Sequence, residues 1–219
     1  MQVKLFVVSV LFLLVGCENA AVSKQPTLEK RMQEFEQLEK RKVEQDKKRF
    51  LIYMSLQDMF ADEQVRALAK AAGKGQIKKI NQLVESGVDV NARGSLGATP
   101  LFWAFRNMNG FRRLLELGAD PDAQFEDGGT ILNWAVRNKN KLFLTLSLEF
   151  GANIDSLPLT KRTSGHETPL MKALVYDENE SVEILLDADA DVNIINKLGG
   201  TAYTMAASQG KFKYLLKML

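Results

Sequence analysis

A short motif that begins with a threonine recurs four times along the chain, and this recurrence restricts the possible folds more than any other feature. It reads GATPLFWAF, GGTILNWAV, HETPLMKAL and GGTAYTMAA, with its threonines at Thr99, Thr130, Thr168 and Thr201. A second motif alternates with it and reads LVESGVDVN at 83–91, LLELGADPD at 114–122, SLEFGANID at 147–155 and LLDADADVN at 185–193. A period of about 20–50 residues indicates a stack of repeated units.

The residues of the two motifs predict a pair of helices in each repeat. A threonine hydroxyl can cap the free N–H groups at a helix start, and a proline in the first turn loses no hydrogen bond. Proline follows Thr99 and Thr168 but not Thr130 and Thr201. The glycine of the second motif favours the left-handed conformation that ends a helix. Asp189 replaces this glycine once, and aspartate tolerates the same conformation better than most residues.

The two motifs resemble the ankyrin repeat, which has a period of about 33 residues and the signature T-P-L-H-x-A. The resemblance implies an all-α ankyrin-repeat solenoid of about five repeats, preceded by a charged N-terminal helix. We expect the first repeat at about 64–96, with VRALAKAAGKG as its first helix. The repeat at Thr99 is two residues short before its glycine, so its helices or their turn must be trimmed. The connecting loop, or finger, between Asp155 and Thr168 is five residues longer than its counterparts.

The stretch LLVGCENAAVSKQ holds the only cysteine of the chain, Cys17. Before it, Lys4 and the apolar run Leu5–Val15 have the charge and the length of a secretory signal sequence, and the run is too short to span a bilayer as a helix. The residues LVGC resemble the bacterial lipobox, which implies cleavage before Cys17 and acylation of that residue. An ordinary signal peptide with an incidental cysteine is the alternative.

The lipobox resemblance implies a periplasm-facing protein that its acyl chains anchor to the membrane. In enterobacterial lipoproteins an aspartate after the cysteine tends to retain the protein in the inner membrane; Glu18 stands here, which favours the inner leaflet of the outer membrane. Without residues 1–16 the chain loses one of its 29 basic side chains and none of its 27 acidic ones. This balance gives no electrostatic reason to bind nucleic acid. No cysteine remains for structural disulfides.

A charged stretch precedes the repeats at residues 27–50, which have no glycine or proline and are rich in strong helix formers. As a helix it would be a spacer that lifts the folded domain off the membrane or a partner-binding segment, and a solvated helix without a partner explains its thin apolar stripe as well. We therefore divide the chain into a lipoprotein signal peptide at 1–16, a lipidated N-terminus and helical spacer at 17–49, a capping helix at 50–63 and an ankyrin-repeat domain at 64–219.

Few residues suggest catalysis or metal binding. His166 is the only histidine, so a Ser-His-Asp triad and a multi-histidine metal site both lack their parts. Gly73-Lys74-Gly75 lacks the spacing of a phosphate-binding loop and predicts an inter-helix turn. Trp103 and Trp134 occupy the same motif position in successive repeats, where packing between repeats is favoured over ligand binding. We therefore expect no enzyme activity, no cofactor and no metal ion.

The ankyrin resemblance implies a concave binding face formed by the fingers and by the exposed sides of the first helices. We expect Leu96 and Phe125 to be exposed anchors on this face. The long finger is either a specificity loop or a passive insertion. Carried over by position, the expected contacts are Arg93, Ser95 and Leu96 in one finger, Gln124, Phe125, Glu126 and Asp127 in the next, Lys161, Arg162 and His166 in the long finger, Ile195, Lys197 and Leu198 in the last, and Phe105, Arg106, Arg137, Asn138 and Tyr176 on the helices.

The stretch at 60–107 also resembles lipid-anchored ankyrin proteins that serve as immunity proteins against type VI secreted phospholipase effectors. This resemblance implies that the partner is a secreted lipase and that binding blocks access to its active-site cleft. Two alternatives stay open. One is an envelope scaffold or adaptor that holds a resident periplasmic protein, and the other is an enzyme or ligand binder built on the tryptophan pair.

Overall fold

The computed structural model describes residues 54–157 and 166–219, together with Gln37, and every regular element in these ranges is helical. The chain divides into two units, Met1–Asp46 and Lys47–Leu219, and the elements given below belong to the second. No helix in the described ranges is both long and apolar enough to cross a bilayer. The predictions that lie outside the described residues concern the signal peptide with Cys17, the charged stretch apart from Gln37, and the long-finger residues Lys161 and Arg162.

A short helix, α1 (Leu56–Met59), is followed in the described ranges by five helix pairs. The first helices of the pairs are α2 (Glu63–Gly73), α4 (Pro100–Trp103), α6 (Ile131–Arg137), α8 (Pro169–Val175) and α10 (Ala202–Ser208). The second helices are α3 (Ile77–Glu85), α5 (Met108–Glu116), α7 (Lys141–Glu149), α9 (Asn179–Asp187) and α11 (Phe212–Leu215). This order confirms the predicted all-α repeat stack.

The first helices begin where the recurring threonines predict. The hydroxyls of Thr99, Thr130, Thr168 and Thr201 each accept a hydrogen bond from the N–H three residues later, over 3.2–3.4 Å. In the first pair, which has no such threonine, the carboxylate of Asp62 accepts the bond at 2.9 Å. Each cap satisfies an N–H group that has no partner inside its own helix.

The ends of the second helices also follow the sequence pattern. Gly87, Gly118 and Gly151 have φ angles of 95°, 88° and 82°, which is the left-handed region that glycine enters without a steric penalty. Asp189 adopts φ of 59° at the equivalent place. The expectation that Asp189 adopts the left-handed conformation of the glycine it replaces is confirmed.

The turn between the two helices of a pair is missing from one repeat. In four pairs this turn contains a residue with positive φ, at Gly75, Lys139, Asp177 or Gly210. In the Thr99 repeat, α4 continues directly into a 3-10 turn at Ala104–Arg106 and α5 begins with Asn107 as its cap. The two missing residues therefore shorten both the first helix and the turn, as predicted from the spacing.

The core runs continuously along the stack. The leucines of the first motif, Leu101, Leu132 and Leu170, are at most 1% exposed. Alanines three positions further on, at Ala104, Ala135, Ala173 and Ala206, have no exposed surface at all. Small side chains at these positions allow successive first helices to approach closely, so that apolar burial joins neighbouring repeats.

Helix α1 covers the beginning of the stack. Met59 and Phe60 at its end are buried, and a methyl group built on Gly94 of the first finger would lie 2.7 Å from the Phe60 ring. The Ser95 hydroxyl donates a hydrogen bond of 2.8 Å to the carbonyl of Asp58. The first finger is therefore packed against α1 and hydrogen-bonded to it.

Candidate protein-binding surface

Three of the fingers close by the same backbone hydrogen bond. It joins Gly94 N–H to Ala98 O at 2.8 Å, Phe125 N–H to Gly129 O at 2.9 Å, and Asn196 N–H to Gly200 O at 2.9 Å. The donor residue lies at the base of the finger, five positions before the cap threonine. The next residues along the chain form the tip.

This geometry corrects the prediction for Phe125, which is not an exposed anchor. The side chain lies at the base of its finger, is 4% exposed and packs edge-on against Phe102 with 5.0 Å between ring centroids. The neighbouring Glu126 and Asp127 are exposed. Leu96 is half-buried, and its carbonyl accepts the Glu126 N–H at 3.0 Å. Both apolar side chains thus support the fingers, and the polar residues form the tip.

Other predicted contact residues join one finger to the next. The Arg93 guanidinium donates to the carbonyl of Gln124, and the Gln124 amide donates to the carbonyl of Leu157 at 3.1 Å. These two side chains hold successive fingers in register. Ser95 instead joins the first finger to α1.

The last finger exposes the apolar groups that the sequence places there. Ile195 is 67% exposed and Leu198 is 81% exposed, with the exposed Lys197 between them. The N–H of Leu198 is held by the side chain of the buried Asn196 at 2.9 Å. The finger therefore presents two aliphatic side chains and one cation from a fixed backbone.

At the end of the first helix or in the turn that follows it, an arginine lies over a tryptophan ring in two successive repeats. The Arg106 guanidinium carbon lies 3.6 Å from the ring centroid of Trp103, and that of Arg137 lies 5.7 Å from the ring centroid of Trp134. Burial lowers the pKa of Arg106 from its ordinary value. In each pair the ring holds the flat guanidinium by a cation–π contact, which restricts the cation to one side of the helix.

Two further predicted contact residues, Phe105 and Asn138, lie in different environments. Phe105 turns away from the first helices and stacks on Phe143 at 4.2 Å, with Phe111 edge-on at 5.9 Å. It therefore packs with residues of the second helices α5 and α7. Asn138 is exposed, and its amide donates to the carbonyl of Trp134 at 2.8 Å.

A small pocket lies between α6, α8 and the second finger. Its volume is about 60 Å³. The pocket, named here the Lys172 pocket, is lined by Asp127, Gly129, Asn133, Trp134, Arg137, Lys172 and Tyr176. Three predicted contact residues from separate parts of the sequence, Asp127, Arg137 and Tyr176, thus meet at one place.

The amine of Lys172 is the most deeply placed charge of this pocket. Burial lowers its pKa, the carboxylates of Glu167 and Asp127 act in the opposite direction, and Arg137 adds a smaller lowering effect. The ammonium group donates a hydrogen bond to Oδ1 of Asn133. Asn133 is itself buried and oriented by its amide N–H, which donates to the Thr130 hydroxyl at 3.0 Å.

The family described as ankyrin repeats (three copies) matches the chain over residues 68–158, 107–196 and 132–219. The chain belongs to the ankyrin-repeat family. Ankyrin repeats are in general protein–protein interaction modules, and proteins built from them are typically interaction scaffolds without enzyme activity. No curated protein matches the sequence.

Among the residues that line the Lys172 pocket, the sequence did not lead us to predict a binding role for Lys172 or Asn133, and it assigned Trp134 to packing between repeats. Trp134 and Trp103 are half-buried, so each packs between repeats and also shows a surface to solvent. Lys172 stands at the fifth position of the T-P-L-H-x-A motif, which Trp103, Trp134 and Met205 occupy in the other threonine-led repeats. A charged residue at an otherwise apolar position was the signal that could have identified it.

The long finger of the ankyrin stack is described only at its ends. His166 is half-buried with φ of 49°, and it lies two residues before Thr168, the cap of α8. In the described part of the chain, no three His, Cys, Asp or Glu side chains come together as metal ligands.

Proposed function

We propose that this ankyrin protein is a membrane-tethered periplasmic immunity protein that binds a type VI secreted phospholipase effector and neutralises it. The binding surface is the first-helix face, which we define as Trp103, Arg106, Trp134, Arg137, Lys172 and Tyr176. The observation that supports this role best is the row of aromatic and cationic side chains from three successive repeats on that face.

Such side chains suit the recognition of a protein. Tryptophan, tyrosine and arginine are enriched among the residues that contribute most to protein–protein affinity, because they combine a large apolar area with a polar end. Arg106 and Arg137 are already stacked on rings, so binding costs them less side-chain entropy than it costs free arginines. A rigid, amphipathic surface of this kind can cover the mouth of a lipase cleft.

The N-terminal sequence supports the proposed location. The apolar run Leu5–Val15 followed by Gly16 and Cys17 matches the pattern of a cleaved and acylated lipoprotein. Several acyl chains, at about 0.8 kcal/mol per buried methylene group, make a stable anchor. An inhibitor anchored at the membrane stands on the surface that a phospholipase must reach, which raises the effective concentration for binding.

The test is inhibition of a co-encoded lipase by the purified full-length chain. We expect a stoichiometric complex in which phospholipid hydrolysis falls as the inhibitor approaches one equivalent. The charge-reversal pair Arg106→Glu and Arg137→Glu should abolish inhibition, and Lys141→Glu on the second-helix layer serves as the matched control. If no lipase encoded beside the gene binds, and a resident envelope protein co-purifies in its place, the scaffold alternative is the correct one.

A further inference from the structure

One position of the repeat motif holds a residue that the fold itself does not require. At the fifth motif position three of the four threonine-led repeats have an apolar side chain, Trp103, Trp134 or Met205, and one has Lys172. Methionine has nearly the length and volume of lysine without the charge. The fold therefore already accommodates, in the last repeat, the uncharged counterpart of Lys172.

The lysine is placed where a charge is unfavourable in the free protein. Its amine is largely removed from solvent, and removal from water disfavours the charged form of an amine. The hydrogen bond that it makes goes to the neutral amide oxygen of Asn133. Among the ion pairs formed by the described residues, none includes Lys172. Glu167 and Asp127 favour the charged amine through their negative charges without forming an ion pair with it, and Asp127 also accepts the N–H of Gly129 at 2.9 Å.

The remaining walls of the pocket complement an anion of small size. Arg137 also lines the pocket and lies over the Trp134 ring, so two cations of the first-helix face border one small volume. The space of about 60 Å³ has room for a carboxylate group. Trp134 and the 44%-exposed Tyr176 supply apolar surface beside it.

We propose that the Lys172 pocket receives one carboxylate side chain, from a glutamate or aspartate, of the protein partner. The ammonium group of Lys172 and the guanidinium of Arg137 donate hydrogen bonds to its two oxygens, and the rings of Trp134 and Tyr176 pack against its methylene stem. The partner's charge then neutralises an amine that the free protein leaves without a direct counter-ion. This inference rests on the proposed function only in taking the ligand to be a protein.

The first test replaces the partner protein with a small compound that carries a glutamate side chain. The probe is N-acetyl-glutamate N-methylamide, with the glutamine analogue as the neutral isostere, titrated into the full-length chain at constant ionic strength. We expect a saturable NMR shift of the Trp134 indole N–H with the glutamate probe and none with the glutamine probe. The shift should vanish in Lys172→Met and persist in Lys141→Met, whose lysine is an exposed residue of α7. Equal responses to the two probes, or an unchanged shift in Lys172→Met, would overturn the proposal.

The thermal stability of the same variants separates a binding role from a structural one. Since methionine fits this motif position and carries no buried charge, Lys172→Met should melt at the same temperature as the wild type or higher. A clear fall in the melting temperature would mean that the hydrogen bond to Asn133 holds the fold, and the proposal would be wrong. Loss of binding to phosphatidylglycerol vesicles in this variant, with no effect of the glutamate probe, would assign the pocket to a lipid phosphate and would also refute it.

A third measurement connects the pocket to the lipase. Truncating one partner of a buried charge pair usually costs at least about 2 kcal/mol, so Lys172→Met should weaken the complex by at least about 30-fold. Lys141→Met should leave the affinity within about twofold. A lipase that binds both variants equally well refutes the pocket and leaves the immunity function intact. A pocket that binds the glutamate probe in a protein that binds no lipase refutes the function and leaves the pocket intact.

Discussion

At the scale of single residues, Gly110 marks a close backbone approach between two repeats. It lies in α5, and a methyl group built there would stand 2.7 Å from the carbonyl carbon of Ala72 in α2 and closer still to its oxygen. Both atoms are backbone, so neither can move aside by changing a rotamer. The glycine thus sets the spacing between the first two helix pairs.

We expect Gly110→Ala to destabilise the fold by about 2 kcal/mol or more, because overlap in a packed core exceeds the gain that alanine brings to a helix. The direction of this stability change is informative, because a glycine-to-alanine change in a solvent-exposed helix stabilises the helix by about 0.5–1 kcal/mol. Urea unfolding followed by circular dichroism measures the difference. Gly200→Ala is the control: its nearest neighbour atoms are 3.5 Å away, so its effect should stay within about 0.5 kcal/mol. An equally stable Gly110→Ala variant would contradict the close approach.

Residues also show where sequence reasoning succeeds and where it fails. The conformation at Asp189 was predictable, because the need for a positive φ is local to the end of one helix. The burial of Phe125 was not, since it depends on Phe102 in the preceding repeat. The role of Lys172 depends in the same way on Asn133 and on the finger of another repeat. Contacts between repeats carry the information that a single motif lacks.

At the scale of elements, the fingers are joined by a ladder of side-chain to backbone hydrogen bonds. Asn91 accepts the Asp120 N–H at 2.7 Å and donates to the Gly118 carbonyl at 2.9 Å. One repeat later, the carboxylate of Asp122 accepts the Asn153 N–H at 2.9 Å. Asp122 holds the same place in its motif as Asn91, but its carboxylate has no N–H to donate.

We expect Asp122→Asn to raise the stability of the protein at pH 7 by up to about 1 kcal/mol, or about 2–4 °C in Tm. The asparagine keeps the acceptor for the Asn153 N–H and can donate to the Gly151 carbonyl, as Asn91 does to Gly118. Asp122→Ala, which loses the acceptor, should be less stable than the wild type by about 1 kcal/mol. Differential scanning calorimetry of the wild type and the two variants measures these differences in stability. If Asp122→Asn is as unstable as Asp122→Ala, the hydrogen-bond ladder does not stabilise the fold as expected.

The difference in stability between Asp122→Asn and the wild type should also depend on pH. Desolvation raises the pKa of Asp122, the hydrogen bond from Asn153 opposes this, and the charge of Asp120 adds to the increase. The folded wild type therefore binds a proton at Asp122 more readily than the unfolded chain does. As the pH falls through the raised pKa toward the ordinary value of about 3.9, the wild type gains stability relative to Asp122→Asn, so the difference between them narrows.

Helix starts and ends were the elements that the sequence predicted best. The capping threonines and the terminating glycines act within three or four residues, so each carries its own physical reason in the sequence. The shortened repeat at Thr99 was predictable as a deletion. That Phe105 would turn toward Phe143 was not, because it depends on how the trimmed turn rests on the next pair.

At the scale of the whole molecule, the stack is held by its continuous apolar core rather than by its surface charges. Ion pairs do connect successive second helices: Arg112 with Glu149 at 3.7 Å, Lys141 with Glu180 at 3.2 Å and Lys213 with Glu183 at 3.5 Å. Their side chains are about half exposed or more, and such pairs contribute only about 0–1 kcal/mol each. None of these pairs includes Arg106, Arg137 or Lys172 of the first-helix face.

The proposed function assigns separate tasks to the two ends of the chain, and this separation is testable with Cys17. We expect Cys17→Ser to move the protein from the membrane fraction to the soluble fraction and to reduce protection of cells against the lipase. The affinity of the purified variant for the lipase should stay unchanged, since the described repeat stack is untouched. The loss of protection then reflects the lower effective concentration at the membrane surface.

Fusing residues 18–219 to an unrelated lipoprotein signal sequence should restore both membrane attachment and protection. Attaching the same residues to an ordinary cleaved signal peptide should restore neither. If Cys17→Ser still sediments with membranes and protects fully, acylation is not the anchor. If the variant is soluble and protects fully, the anchor exists but local concentration does not limit inhibition. These experiments distinguish the effect of the protein's location from the effect of the affinity of its repeat stack for the lipase.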